Sequence, residues 1–249
     1  QYSCDQLIGI DNANIKELAP VDVMFTTNMN MDKYYDNFRS YGWNDNQIKN
    51  SHYTTKEMFS LFDFDITKYL RDYIEVNTYA TPDLTMNHTL GSKLNQIRTS
   101  FPFLQYDTME SIMKISDYNK VARFYGNEEY SLNSNEYMIV ADFKSMVEVR
   151  NIALKNNETI NLFGHTLKPK YDSCQDGFVE MSSNHINTGI IIVPDNVIDE
   201  DYLIQNHLIG NYKTQDKNEI TEIENNINTL VKDPKSKEYL LPSGKTKLA

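Results

Sequence analysis

Five histidines, two cysteines and a few carboxylate clusters are the first side chains to test for chemistry in this sequence. His52, His88, His165, His185 and His207 are never three to five residues apart, and neither Cys4 nor Cys174 has a histidine at zinc-finger spacing. No metal site is expected from such a pattern. The run "FDFD" puts Asp63 and Asp65 on one face if it is extended, as a metal–phosphate site would need; a solvated strand edge has the same pattern. In "YDSCQDG", Asp172 and Asp176 flank Cys174. A nucleophilic thiol needs basic neighbours to lower its pKa, and two carboxylates do the opposite. With no nucleophile–base pair and no glycine loop for phosphate, the expectation is a domain that is not an enzyme and carries no cofactor. Asn-X-Ser/Thr matches at Asn87 and Asn157 arise by chance at this abundance of Asn.

The carboxylates are more informative. Asp195, Asp199, Glu200 and Asp201 crowd the end of an apolar run, and Glu219, Glu222 and Glu224 line the polar side of a helical pattern. Loops at strand ends collect binding residues, so Asp195, Asp199, Glu200 and Asp201 are the leading ligand contacts, with Glu219 and Glu222 behind them. A merely hydrated surface is the alternative. The chain carries 35 acidic and 24 basic side chains, a net charge of −11. That balance repels phosphate backbones and argues against nucleic acid. Cationic partners are attracted instead, over a screening length of about 8–10 Å at physiological salt. With 17 Tyr and 11 Phe, the composition suits a cationic, amphipathic peptide whose Lys and Arg meet carboxylates while its apolar face meets rings. A lipid-linked pyrophosphate would instead want backbone amides and basic residues.

These residues need elements to hold them. The 249 residues are 40% hydrophobic with only 9 Gly and 7 Pro, enough for a substantial core and against disorder. The longest strongly apolar run, "GIIIV", is far short of the ~20 residues a spanning helix needs. The chain opens with "QYSCDQL" and closes with "SGKTKLA", as a piece cut from a larger polypeptide would. Two cysteines can be paired, closing a long loop, or unpaired; the count does not fix the redox compartment.

Periodicity predicts a helix over 5–18, a strand over 21–28, and a helix over 55–61 capped by Thr54 or Thr55. Apolar residues at 66, 69, 70, 73 and 74 predict a helix over 66–76. Pro82, Asn87 and Gly91 punctuate 78–100, which reads as a long loop or insertion. "ESIMKIS" predicts a strand, Asp117 an N-cap for the helix "YNKVARFYG", Gly126 its left-handed stop, and "EYMIVADF" a buried strand. A hairpin turns at "FGH" with Gly164, strands follow at "FVEM" and "GIIIVPDNVI", and a helix over 215–232 carries Ile220, Ile223, Ile227, Leu230 and Val231 on one stripe. Strands outnumber helices without regular alternation, so the fold class is α+β, a mixed, largely antiparallel sheet with a few packed helices. One domain over 1–249 is expected, divisible into about 20–105, with inserted 78–100, and about 106–232.

The stretch "ISDYNKVARFYGNEEYSLNSNEYMIV" resembles a pattern in the large extracellular domain of FtsX-like ABC transporter permeases of the bacitracin, antimicrobial-peptide type. There a strand leads into a Ser-Asp-Tyr-Asn helix ending at Gly, then a polar turn and a strand opening Asn-Glu. Ser116, Asp117, Tyr118, Asn119, Gly126, Leu132, Asn135 and Glu136 match it. "APVDVMFTTN" and "TGIIIVPDNVI" fit further, so the resemblance spans about 20–198, interrupted over 53–100. It implies a domain looped between two membrane helices on the extracellular face. The ABC ATPase subunit lies on another chain, and a sensor histidine kinase is a signalling partner. The ligand would be a cationic antimicrobial peptide or a lipid-carrier-bound peptide. No family ligand motif transfers to particular residues here. A structural or adaptor ectodomain of another FtsX-like permease, in lipoprotein release or envelope regulation, is the alternative, and an unrecognised enzyme is a third.

Overall fold

A computed structural model describes residues 21–141, 144–177 and 188–246. The helix expected over 5–18 and the strand "FVEM" lie outside the described residues, as do Cys4 and His185. Among the described residues nine strands form one sheet in the order β5-β6-β4-β7-β3-β2-β8-β1-β9. They are β1 (Val23–Asn28), β2 (Leu70–Tyr79), β3 (Ile112–Lys114), β4 (Glu136–Val140), β5 (Ile160–Leu162), β6 (His165–Pro169), β7 (Ile190–Val193), β8 (Leu203–Tyr212) and β9 (Ser243–Thr246). Only β3–β7 and β4–β6 run parallel; the other neighbours are antiparallel. The sheet is therefore mixed and largely antiparallel, and the class is α+β.

Side chains of a strand alternate between faces, and both faces here are apolar. On one, Ile190, Ile192, Met138, Val140, Met113, Val76, Met24 and Ile209 pack under α6 (Ile115–Tyr125), which contributes Tyr118, Val121 and Ala122. On the other, Ile191, Val193, Tyr137, Ile139 and Ile112 form one cluster. Beside them, Val23, Phe25, Leu208 and Tyr212 meet α3 (Thr55–Leu61) and α8 (Lys217–Thr229) through Phe59, Ile220 and Ile223. Burial on both faces explains why β4 and β7 read as unbroken apolar runs. The sheet pairing also crosses residue 105, joining β2 to β3 and β7 on its far side.

Several local expectations hold. Thr54 caps α3 by accepting the Glu57 amide, and Asp216 caps α8 through the Asn218 and Glu219 amides. Gly126 ends α6 at φ 76°, and the β5–β6 hairpin turns on Phe163 and Gly164, both at positive φ (49° and 80°), as a two-residue type I′ turn requires. Of the α8 stripe, Val231 is 62% exposed, because α8 stops at Thr229 and the chain tightens into a 3-10 turn.

Four expectations are corrected. Residues 66–76 form a 3-10 turn (Ile66–Tyr69) followed by β2, not a helix. The apolar spacing fits a helix, but Tyr73, Ile74, Val76, Thr78 and Tyr79 are aromatic or β-branched, and the ladder to β8 rewards them as a strand. Residues 78–100 are not a loop: after β2 ends, α4 (Met86–Leu90) and α5 (Leu94–Ser100) bury Met86, Leu90 and Ile97 against Met146, Val149 and Ala153 of α7 (Lys144–Lys155). The strand expected over "ESIMKIS" stops at Lys114, so α6 starts two residues before Asp117, which sits in the first turn instead of at the N-cap. "FDFD" is not extended: Asp63 has φ 56° and an almost fully exposed side chain, while Asp65 caps the following 3-10 turn through Thr67.

Several elements carry no expectation from the sequence, namely α1 (Tyr35–Ser40), α2 (Asp45–Lys49), α7, β8 and β9. Strand β8 is central, yet Gln205, Asn206 and His207 interrupt its apolar pattern. Cross-strand partners satisfy them. His207 Nδ1 and Nε2 meet the Thr26 and Thr78 hydroxyls at 2.9 and 3.1 Å, and Asn206 donates to Asn77 (2.9 Å) while accepting the Thr55 amide (2.8 Å). Buried polar groups are tolerated when paired in this way.

Candidate functional site

The segment leaving β7 is the site the sequence pointed to, and its course follows from local rules. Pro194 ends the strand, and two 3-10 turns, Asp195–Val197 and Glu200–Tyr202, carry the chain across the ends of β3 and β2 to β8. Val197 is buried and Ile198 and Leu203 pack beside it, anchoring the segment to the core. Asp195, Asp199, Glu200 and Asp201 are all exposed, so the structure brings these four together. Glu219 and Glu222 lie on the exposed side of α8, a different element over a different part of the core. They are not part of the same cluster.

Much of the cluster's charge is used within the chain. Asp195 Oδ1 accepts the Ser116 amide at 3.1 Å. Ser116 is in the first turn of α6, where amides lack helical partners, so Asp195 supplies from a distance the capping expected of Asp117. Asp199 Oδ1 accepts the Asp201 amide at 3.0 Å, capping its own turn. Glu200 pairs with Lys114 and accepts the Tyr79 hydroxyl at 2.7 Å. The Lys114 ammonium holds the Glu200 carboxyl below its ordinary range, with the Tyr79 hydroxyl adding to the effect. Burial, with Glu200 close by, pushes the Tyr79 phenol up.

Four residues here were not singled out from the sequence. Lys114 ends β3, and Tyr79 ends β2. Lys33 sits 4.0 Å from the Tyr202 ring centroid and donates to the Asp201 carbonyl. Tyr202 also packs on Phe163 at 4.9 Å between centroids. Sequence distance hides this grouping: Lys33 and Asp201 are 168 residues apart. The arrangement offers a strip of carboxylate edges beside aromatic faces, with ammonium groups already seated on them.

Burial raises the Cys174 thiol to about 11, and the thiol is free. Among the described residues no group of three or more His, Cys, Asp or Glu could hold a metal ion. His52 meets Asn30, and His88 closes a capping box with Thr85 at the start of α4. No helix among the described residues is long and apolar enough to cross a membrane.

The residues that carried the resemblance have structural roles. Asp117 Oδ2 accepts the Asn77 amide at 3.1 Å, and Lys120 donates to the Glu75 carbonyl at 3.2 Å. Both serve the β2 backbone where pairing with β3 is limited to Tyr79 and Ile112, so the first turns of α6 stand in for a strand. Asn119 clamps the turn beyond α6 by donating to the Tyr130 carbonyl (2.7 Å) and accepting its amide (2.9 Å). Glu136 fixes the entry to β4 through the amide and side chain of Asn133 at 2.9 and 3.0 Å.

No family model, curated protein or solved structure matches this chain.

Proposed function

We propose that the chain is a ligand-sensing and binding domain carried on the extracellular face of a membrane by an FtsX-like ABC permease of the antimicrobial-peptide resistance type. One observation carries the reading. Strands β1 and β9, through which the chain enters and leaves the described fold, are antiparallel neighbours with Val23 opposite Thr246. A domain looped between two membrane helices must bring its entry and exit to one place, and this pairing does so. The resemblance over 115–140 adds to it, because its residues fall on one continuous β3–α6–β4 unit. ATP hydrolysis would belong to a separate subunit, and signalling to a partner kinase.

The ligand in this reading is a cationic amphipathic peptide, met by the exposed edges of Asp199 and Asp201 and the half-buried ring of Tyr202. Charge contacts of this kind weaken with ionic strength. Calorimetric titration of the 249-residue chain with such a peptide should show binding that weakens from low to physiological salt and weakens again in Asp199→Asn/Glu200→Gln/Asp201→Asn. Binding indifferent to both changes, or none at all, would remove the peptide as ligand.

A second reading has its own support. Because Asp195, Glu200 and the Asp201 carbonyl are engaged by Ser116, Lys114 and Lys33, the strip also suits a structural or adaptor ectodomain of a different FtsX-like permease. Absence of peptide binding in the same titration favours it.

A further inference from the structure

One border of the nine-stranded sheet is held largely by polar contacts. From Asp233 to Thr246 the chain runs back along α2 (Asp45–Lys49), past α3, and pairs as β9 with the outer edge of β1. Of residues 233–244, Pro242 alone is buried, and Leu241 is half-buried against the cluster of Phe25, Leu208 and Tyr212. Strand β1 beside it is buried at all but its last residue. Most of the remaining attachment is polar. Asn44, Gln47 and Asn50, spaced by three along α2, donate their side-chain amides to the carbonyls of Lys237 (2.9 Å), Ser236 (3.1 Å) and Glu238 (3.1 Å). Lys235 Nζ donates to the Leu61 carbonyl at 2.8 Å and lies 3.7 Å from Asp63. Tyr239 meets the Tyr53 ring edge-on at 6.0 Å. At β9 the contact is a close approach: a Cβ on Gly244 would overlap the Phe25 ring, so only the glycine backbone fits there.

We propose that residues 233–246 form a releasable strap, docked on α2 and β1 in this structure and able to leave them without unfolding the rest of the sheet. Two physical features separate it from its surroundings. Amide–carbonyl bonds at an exposed surface can be exchanged for bonds to water at little net cost, and a segment whose apolar burial is centred on Leu241 and Pro242 opens more often than the core. Releasing the strap uncovers the β1 edge, whose unpaired backbone groups would then be open to another strand. The rest of the sheet keeps β8, β2 and both helical layers. The device is a switch between a capped and an open sheet edge. It rests on the fold alone and not on the membrane reading above.

Hydrogen exchange on the 249-residue chain tests it, under conditions where exchange follows the opening equilibrium. The amides of 235–246 and the β1 amides facing β9 should exchange as one unit, well before the central amides of β8 and β7. Asn50→Ala/Lys235→Ala removes two docking bonds and leaves the α2 capping box of Asn44 and Gln47 intact. It should speed exchange of that unit by about tenfold and leave the central amides unchanged. Leu208→Ala, a core control, should speed the central amides instead. Strap amides exchanging only together with β8, or a double variant that speeds every amide equally or none, would overturn the proposal.

Discussion

Replacing Arg150 by Met should be among the most damaging single changes in this domain, and the size of the effect follows from its surroundings. Arg150 and Glu110 are 1% and 2% exposed. The guanidinium forms a two-point pair with the Glu110 carboxylate, and Nη1 also donates to Thr89 Oγ1 at 3.1 Å. Nε and Nη2 donate to the Thr188 carbonyl at 3.1 and 2.7 Å. One side chain on α7 therefore ties together α4, the segment entering β3 and the segment entering β7. Arg150→Met leaves a carboxylate buried with only the Thr89 hydroxyl (2.9 Å) for a partner. Breaking a buried pair in this way costs about 3–5 kcal/mol. With a urea dependence of about 3 kcal/mol per molar, the unfolding midpoint should fall by about 1–2 M. The control is Glu110→Leu/Arg150→Met, which removes the stranded charge and should recover most of the loss, because a buried pair contributes little over a packed apolar one. Urea titrations followed by far-ultraviolet circular dichroism decide it. A midpoint shift in Arg150→Met below about 0.3 M, or a double variant no more stable than the single, would refute the reasoning.

Three further outcomes are expected. Asp117→Asn keeps an oxygen for the Asn77 amide and should be nearly neutral, whereas Asp117→Ala strands that donor and should cost about 1–3 kcal/mol in urea unfolding. Burial raises the Asp117 pKa in the folded state, so its ionisation opposes folding. The contribution to stability is therefore present at low pH and declines as pH rises from the ordinary Asp value, about 3.9, through the folded one; Asp117→Asn should flatten that slope. Gly91→Ala forces a Cβ onto the Glu158 carboxylate at a backbone of φ 52°, ψ −130°, and should lower stability by at least about 2 kcal/mol in thermal melts. Glu200 titrates below its ordinary range because of Lys114; the pair's contribution is complete above about pH 4.3 and fades as pH falls through the folded value. In Lys114→Met, carbon-detected NMR should show the Glu200 pKa return upward, and an unchanged value would exclude the pairing.

Wherever a short-range rule was sufficient, the sequence by itself determined the outcome. Gly126 and Gly164 adopt positive φ because little else can; Thr54 and Asp216 cap because the next amides lack partners; β4 and β7 are strands because their apolar runs are too short and too continuous for an amphipathic helix. The acidic segment at 195–201 was visible too, as carboxylates after a strand-ending proline. Tertiary structure decided the rest. Residues 66–76 satisfy a helical spacing, and only β8 alongside makes the strand the better use of Tyr73, Ile74 and Val76. Strand β8 was itself hidden, since Asn206 and His207 are acceptable in a sheet centre only when Asn77, Thr55, Thr26 and Thr78 arrive from elsewhere to bond them. The site shows the same division. Its carboxylates are written in one heptapeptide, but Glu200 is held below its ordinary range by Lys114, 86 residues away, and the Asp201 carbonyl is met by Lys33, 168 residues away. Backbone preferences act over three or four residues, whereas the energy of burying a polar group is set by whichever partner the fold brings to it.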